Sequence, residues 1–376
     1  MTAIPSRRSV LLGAASGGAL TVIGAGAATG APPVGSVTVG MPGSGADYVV
    51  DPTNAQAVTN EALSAVGAGG SVRVMAGEYT ISSPILVGNR QSFVGDGSAQ
   101  TVFTASGKFS GQALVRTPVG FRGTRVVLRD FAVNGLNKVA NGVLVEANAK
   151  PDRYAPDPMP ILNGIFVFQT AGDGFVLGGT YSGGCREFHV SDCRAQTTGG
   201  WGFNWSNSSD GFIWGCSVQG AAGGGYLVGG GNSKVFGNKV YSTGAPGAPA
   251  PGFRVSSSRC TLSGNEAQDC YGNGYEISGA DCSVSGCTAD STGTGKDPGT
   301  SAGFLVSATR AMVTGKSYMR VNGGCQWIVQ GAGQMYALRT TGADRQYIRL
   351  VSGAAVETWR GDISGTPASD SDVVVI

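Results

Sequence analysis

Arg254 and Glu276 stand 22 residues apart, and Asp281 follows Glu276 by five. Two carboxyl groups held near one another are what glycoside hydrolysis requires. One protonates the leaving oxygen and the other acts as base or nucleophile. Glu276 and Asp281 are therefore candidates for an acid/base pair, with Arg254 binding or tuning them. In a β-elimination, Arg254 or Lys239 would instead remove or neutralise a proton. Trp201, Asn204, Asp210, Arg259, Asp269 and Asn273 are the candidates for holding substrate around them. A second candidate face gathers Lys239, Tyr241, Glu266 and Asp290. If these lie on neighbouring strands, Glu266 and Asp290 have Cα atoms roughly 8 Å apart, a separation that inverting hydrolysis tolerates. Both sets have a plain alternative. Arg254 with Glu276, and Arg259 with Asp281 and Arg310, would be ordinary charge pairs between neighbouring strands. The second set would be a solvated face of amides and charges.

The elements that position these residues show in a paired signature repeating from about residue 128 to about residue 306. One half reads apolar–x–Gly–(Cys/Asn)–x–(Val/Ala), as in Ile213 to Val218, Val235 to Val240, Leu262 to Ala267 and Val284 to Ala289. The other reads Gly–aromatic–x–apolar, at Gly202-Phe203, Gly225-Tyr226, Gly252-Phe253, Gly274-Tyr275 and Gly303-Phe304. The halves alternate with a period of 22 or 23 residues where no insertion intervenes. A period of this length means a solenoid, and short alternating strands with no helical stretch between them mean a solenoid of strands. The corner-leading apolar residues are Leu128, Leu162, Val190, Ile213, Val235, Leu262, Val284 and Val313. Phe131, Ile165, Cys193, Cys216, Asn238, Asn265 and Cys287 then point inward, the two asparagines as a short ladder. Outward on the Gly–aromatic strand come Val176, Asn204, Leu227, Arg254, Glu276 and Leu305. A column of small residues follows: Gly178, Ser206, Gly229, Ser256, Ser278 and Ser307. At the next turn Glu187, Asp210, Asn232, Arg259, Asp281 and Arg310 stack. Trp214 and Phe236 point outward on adjacent rungs, as a sugar-stacking platform or as apolar surface under a loop.

Glycine is 64 of 376 residues, more than twice the usual share, without the period of collagen. Ser6-Arg7-Arg8-Ser9-Val10-Leu11-Leu12 looks like a twin-arginine export motif, followed by a weakly apolar Gly/Ala stretch and a small-x-small site near Ala27. The expectation is a bacterial or archaeal protein, secreted or at the cell surface, with no membrane span once the leader is removed. Removing Arg7 and Arg8 from the 26 basic residues leaves 24, against 24 acidic ones. A neutral chain argues against nucleic acid as a partner. The eight cysteines follow the repeat and show no zinc spacing. Cys260 and Cys282 share one column and could form a disulfide, but free thiols packed in the core are the preferred reading. The lone His189 sits in a strand, so neither a histidine-based metal site nor a triad is expected. No cofactor is expected, and calcium is not indicated.

The boundaries expected are a leader at 1–28, a Gly/Pro/Ser linker at 29–45, an N-terminal cap and first rung at 46–120, regular rungs at 121–330, and irregular last rungs with a C-terminal cap at 331–376. Asp51-Pro52-Thr53-Asn54 opens a short helix stopped at Gly67, which would cover the first open strand edge. A strand at Val72–Met75, the turn Gly77-Glu78-Tyr79 and the corner Phe93 to Gly97 follow. This order of helix, strand, Gly-x-Tyr turn and apolar-x-Gly-x-Gly corner resembles the opening of the pectate-lyase-like right-handed parallel β-helix superfamily. The resemblance spans roughly residues 45–330. It implies an all-β, single-stranded right-handed parallel β-helix with a capping helix, and a polysaccharide as partner. It is specific for architecture and not for activity. The polygalacturonase acid and Gly-His-Gly sets, the Asp-Pro-His of alginate epimerases and the acidic cluster of a pectate-lyase calcium site are all missing.

In that superfamily substrate usually lies along one sheet, between loops. Long connections at 243–251 and 291–302 flank a short one at 269–273, leaving a notch over the rung of Glu276. A third insertion, 148–160, leaves the far side of the same sheet. Three readings follow. The first is a glycoside hydrolase or polysaccharide lyase, the second a non-catalytic carbohydrate-binding or surface protein, and the third a tail-spike-like depolymerase, against which the leader argues. Oligomeric state is not legible.

Overall fold

A computed structural model describes residues 35–121, 125–146, 159–178, 184–293, 301–308 and 311–313 in full, and beyond them only the backbone of the later strands. The leader, all but the last two residues of the insertion at 148–160, and Arg310 lie outside the described residues.

Each turn of the coil carries three short strands. In one turn these are Phe212–Trp214, Ser217–Gln219 and Gly224–Val228, which we call the first, second and third faces. Every strand pairs in parallel with its counterparts in the turns before and after. The strands are short because three corners per turn use left-handed backbone, which L-residues resist and Gly, Asn and Asp best tolerate. The first corner carries Asp130, Gly164, Asp192, Gly215, Gly237, Gly264 and Gly286 in that conformation. The second carries Gln169, Thr197, Gly220, Ser242, Asp269 and Ser291, and the third Glu187, Asp210, Asn232, Arg259 and Asp281.

The eight corner-leading residues expected from the repeat pair in one unbroken register from Leu128 to Val313, and all are buried. The inward column behind the first corner is also buried. Asn238 donates from Nδ2 to Asn265 Oδ1 at 3.0 Å, and its own Oδ1 accepts from the Cys216 amide at 2.9 Å. Buried amides are tolerated there because each is spent on a neighbouring turn. The third face supplies the largest apolar stack. The rings of Phe175, Phe203, Tyr226, Phe253, Tyr275 and Phe304 lie 4.6–4.9 Å apart, with planes within 6° of parallel. A 22- or 23-residue repeat in parallel register imposes this stacking, since each ring sits one strand spacing above the last.

Helix α1 (Ala55–Val66) packs on the first strands, and Gly67 ends it with φ 63°. Its C-terminal carbonyls are met by the buried Gln91 side chain, which donates to Leu63 O at 2.5 Å and to Gly67 O at 3.0 Å. The expected linker at 29–45 is corrected in part. Ser36–Gly40 is a strand paired with Ser71–Val74, and it buries Val37 and Val39 through their alternation. At the other end the sequence period fades but the ladder does not: Val373–Val375 still pairs in parallel with Ile348–Leu350. All seven described cysteines are buried, and Cys260 and Cys282 are not joined in a disulfide.

Candidate functional site

The third face presents its outward residues in the register read from the repeat: Val176, Asn204, Leu227, Arg254, Glu276 and Leu305 are successive partners. Arg254 Nε donates to Glu276 Oε2 at 2.5 Å, and Asn273 Nδ2 donates to Glu276 Oε1 at 2.8 Å. Both carboxylate oxygens are therefore occupied. Asn273 is itself buried, and its Oδ1 accepts from the Ala302 amide at 2.6 Å, tying the short connection to the next turn. The Arg254 guanidinium lies 5.3 Å from the centre of the Trp201 ring, within cation–π range. The Glu276 side chain is 20 % exposed and that of Arg254 is 44 % exposed. The structure thus brings Trp201, Arg254, Asn273 and Glu276 into one cluster.

Asn204 belongs to an adjoining pair. Its Nδ2 donates to Asp173 Oδ2 at 2.8 Å, while the Trp201 amide donates to Asp173 Oδ1 at 2.6 Å. Asp173, which anchors the strand that carries Trp201, was missed in the sequence because it lies in a turn and outside the repeat columns. The floor beyond the cluster stays small, with Ser206, Ser256, Ser278 and Ser307 all exposed. The notch is bounded on one side by a small hairpin, Gly244–Ala245 with Ala248–Pro249. Residues 294–300 of the other bounding connection lie outside the described residues.

Asp210, Arg259 and Asp281 occupy the third corner, each with φ near 60°. Asn232 donates to Asp210 Oδ1 at 2.7 Å across one turn. This column is explained by the corner it forms. Asp281 is exposed there, at the opposite end of the strand segment from Asn273. Asp269 forms the second corner with φ 49° and accepts from Gln268 Nε2 at 3.0 Å.

On the second face, Lys239 Nζ and Glu266 Oε1 lie 3.2 Å apart as a half-exposed ion pair, and Tyr241 is exposed beside them. Asp290 is two residues beyond Thr288, the partner of Glu266, as the register required. It does not stand on a solvated face, however. Asp290 is buried and accepts from Ser291 Oγ at 2.9 Å. Trp214 is 38 % exposed and Phe212 is 36 % exposed on the first face, with His189 edge-on to Trp214 at 5.8 Å. Trp214 is not covered by a loop among the described residues.

A cleft of about 420 Å³ opens at the first corner of the early turns, lined by Arg73, Gly95, Asp96, Gly97, Gln100 and Asp130. Among the described residues, no group of three or more His, Cys, Asp or Glu side chains could hold a metal ion. No described helix is long and apolar enough to cross a membrane.

Residues 168–317 match a family model described as a right handed beta helix region. The chain is a right-handed parallel β-helix. Among solved structures it is similar to the tailspike gp42 of Acinetobacter phage vb_AbaP_AS12, at 13% identity and TM-score 0.58, over 90% of this chain and 65% of that one. It is also similar to an N-terminal fragment of bacteriophage Phi29 gene product 12, at 12% identity and TM-score 0.57, over 82% of this chain and 64% of the fragment. A mannuronan C-5 epimerase A-module from Azotobacter vinelandii shares 12% identity at TM-score 0.49, over 89% of this chain and 100% of the module. The β-helix therefore spans about two thirds of the two phage chains. No curated protein sequence matches it. At these identities the likeness is one of fold, and the chemistry must be argued from this chain's own residues.

Proposed function

We propose that this β-helix acts on an extended polysaccharide laid along its third face, as a glycoside hydrolase or polysaccharide lyase. The observation that carries the reading is the cluster of Trp201, Arg254, Asn273 and Glu276 beside an exposed floor of serines. The aromatic ring offers a stacking surface for a sugar, and the small floor leaves a track with few side chains standing in it. Glu276 is the carboxylate at the centre of the cluster, and Arg254 is the cation that would neutralise charge developing beside it. The twin-arginine motif supports export, which brings the protein to polysaccharide outside the cytoplasm.

The occupied oxygens of Glu276 favour a second reading, in which the third face binds the polymer without cleaving it. A product screen separates the two. The purified full chain is incubated with plant, algal and bacterial polysaccharides, and unsaturated uronates and new reducing ends are followed. Unsaturated products mean a lyase, and reducing ends alone mean a hydrolase. Retained binding to one polymer with no product assigns the non-catalytic reading. Absence of both binding and product across the panel removes the polysaccharide proposal.

A further inference from the structure

The first corner changes character along the coil. In the turn of Val127–Arg129 and Ala132–Asn134 it is tight: Asp130 and Phe131 alone separate Arg129 from Ala132. One turn earlier, the partners of those residues are Val94 and Val102, and seven residues separate them. Five extra residues therefore leave the coil and return, forming one wall of the cleft. In solenoids, insertions of this kind cluster on working faces.

The wall is rigidly built. Asp96 Oδ1 accepts from Arg73 Nε at 2.6 Å, its Oδ2 accepts from the Ala76 amide at 3.0 Å, and its own amide donates to Thr101 Oγ1 at 2.9 Å. Its side chain is only 15 % exposed. The opposite wall is Asp130, whose carbonyl accepts from the Gly97 amide at 2.8 Å. Glycines on both sides make room for it. A Cβ on Gly95 would collide with the Asp130 carbonyl, and one on Gly164 would lie 2.6 Å from its Oδ1. Asp130 holds a left-handed backbone, φ 60°, at a position that is glycine in Gly215, Gly237, Gly264 and Gly286. Asp192 shares that column and conformation, but its carboxylate accepts from Asn163 Nδ2 at 3.0 Å. That of Asp130 stands at the mouth of the cleft, 38 % exposed, with Arg129 Nε 3.7 Å away.

We propose that this cleft binds a neutral, hydroxyl-rich saccharide unit, at a site separate from the third face. Asp130 and the Gln100 carbonyl are acceptors for sugar hydroxyls, and the Arg73 Nη groups and the Gln100 amide are donors. The recess is shallow and largely open, so it would hold one face of a small ligand. No large apolar side chain lines the cleft, so it would not retain an apolar guest. The lining carries two carboxylates, Asp96 and Asp130, against one guanidinium, Arg73, and this excess of negative charge disfavours a uronate.

The test uses the full chain and the methyl glycosides of glucose, mannose and galactose, with glucuronate as the anionic control. Binding is followed by ligand-observed NMR up to about 100 mM. At least one neutral glycoside is expected to bind, with glucuronate weaker. Asp130→Gly and Gln100→Ala should each raise Kd about tenfold or more, and Glu276→Gln should leave it unchanged. Asp130→Gly should also keep or raise the melting temperature, since glycine relaxes a left-handed backbone. Loss of binding with intact folding is thus a readout that a structural role for Asp130 would not give. No binding by any neutral glycoside, equal binding of glucuronate, or binding indifferent to Asp130→Gly and Gln100→Ala would overturn the proposal. Failure of the third-face reading leaves this site untouched, because Glu276→Gln reports on that face alone.

Discussion

The third-face cluster and the early-corner cleft are built from similar residues, an arginine braced by a carboxylate, and they differ in shape. On the third face Arg254 and Glu276 project from adjacent strands of a regular sheet and pair across one strand spacing. At the first corner Arg73 and Asp96 pair across a loop that leaves the coil, and the result is concave. A stack of identical turns makes ladders and flat tracks, and concavity comes from departures from the repeat. An extended polymer suits the first and a compact ligand the second.

The largest expected effect comes from removing what makes the third face regular. Tyr275→Ala deletes one ring of the aromatic stack and a phenol that donates to Asn265 O at 2.7 Å. A loss of about 3–5 kcal/mol is expected, the range for truncating a large buried aromatic. Since each turn contacts mainly its neighbours, hydrogen exchange should rise first in the turns around 253–306 and least in those around 71–105. Uniform loss of protection would show that the two regions fold as one unit.

Glu276→Gln comes next. If Glu276 is the acid or base, turnover of the polymer found in the product screen should fall about 100-fold or more, with binding retained. Turnover within twofold of the wild type would leave Glu276 as a charge pair alone. Arg254 is solvent-exposed and glutamine keeps the size of Glu276 and an acceptor for Asn273, so the fold should survive the substitution either way.

The order of these effects matches how legible each feature was. The ladders from Leu128 to Val313 and the outward column through Arg254 and Glu276 could be read from the sequence because a strict repeat converts position into register. Asp173 and the cleft could not. Asp173 acts through a turn, and the five residues at 96–100 look in the sequence like a polar loop, with nothing in them to show that Arg73 and Asp130 from neighbouring turns face the same space. The burial of Asp290 was missed for a related reason: the register gives the direction of a side chain and does not say whether that side chain is covered.

Trp201→Ala should produce a smaller change. Removing the ring beside Arg254 is expected to weaken polymer binding on the third face by about 0.5–1 kcal/mol, read as a two- to fivefold rise in Kd. Glycoside binding in the cleft should not move. A change at both sites would mean that they share one ligand.

The smallest effect sharpens the cleft's electrostatics. Tyr79, donating to Met75 O at 2.7 Å, has its phenol pushed up to about 12, first by burial and then by the negative charge of Asp96. A free tyrosine titrates near 10. The folded value is the higher one, so the folded state keeps a proton that the unfolded state has already lost. The stability this represents is complete below about pH 10 and drains away as pH rises toward about 12. Asp96→Asn removes the second cause and leaves the first. Tyrosinate absorbance should then show Tyr79 titrating somewhat lower, and the alkaline loss of stability should be smaller and end at a lower pH. An unchanged titration would mean that the Asp96 charge is already cancelled by Arg73 at the distance of Tyr79, and the wall of the cleft would then count as electrically neutral.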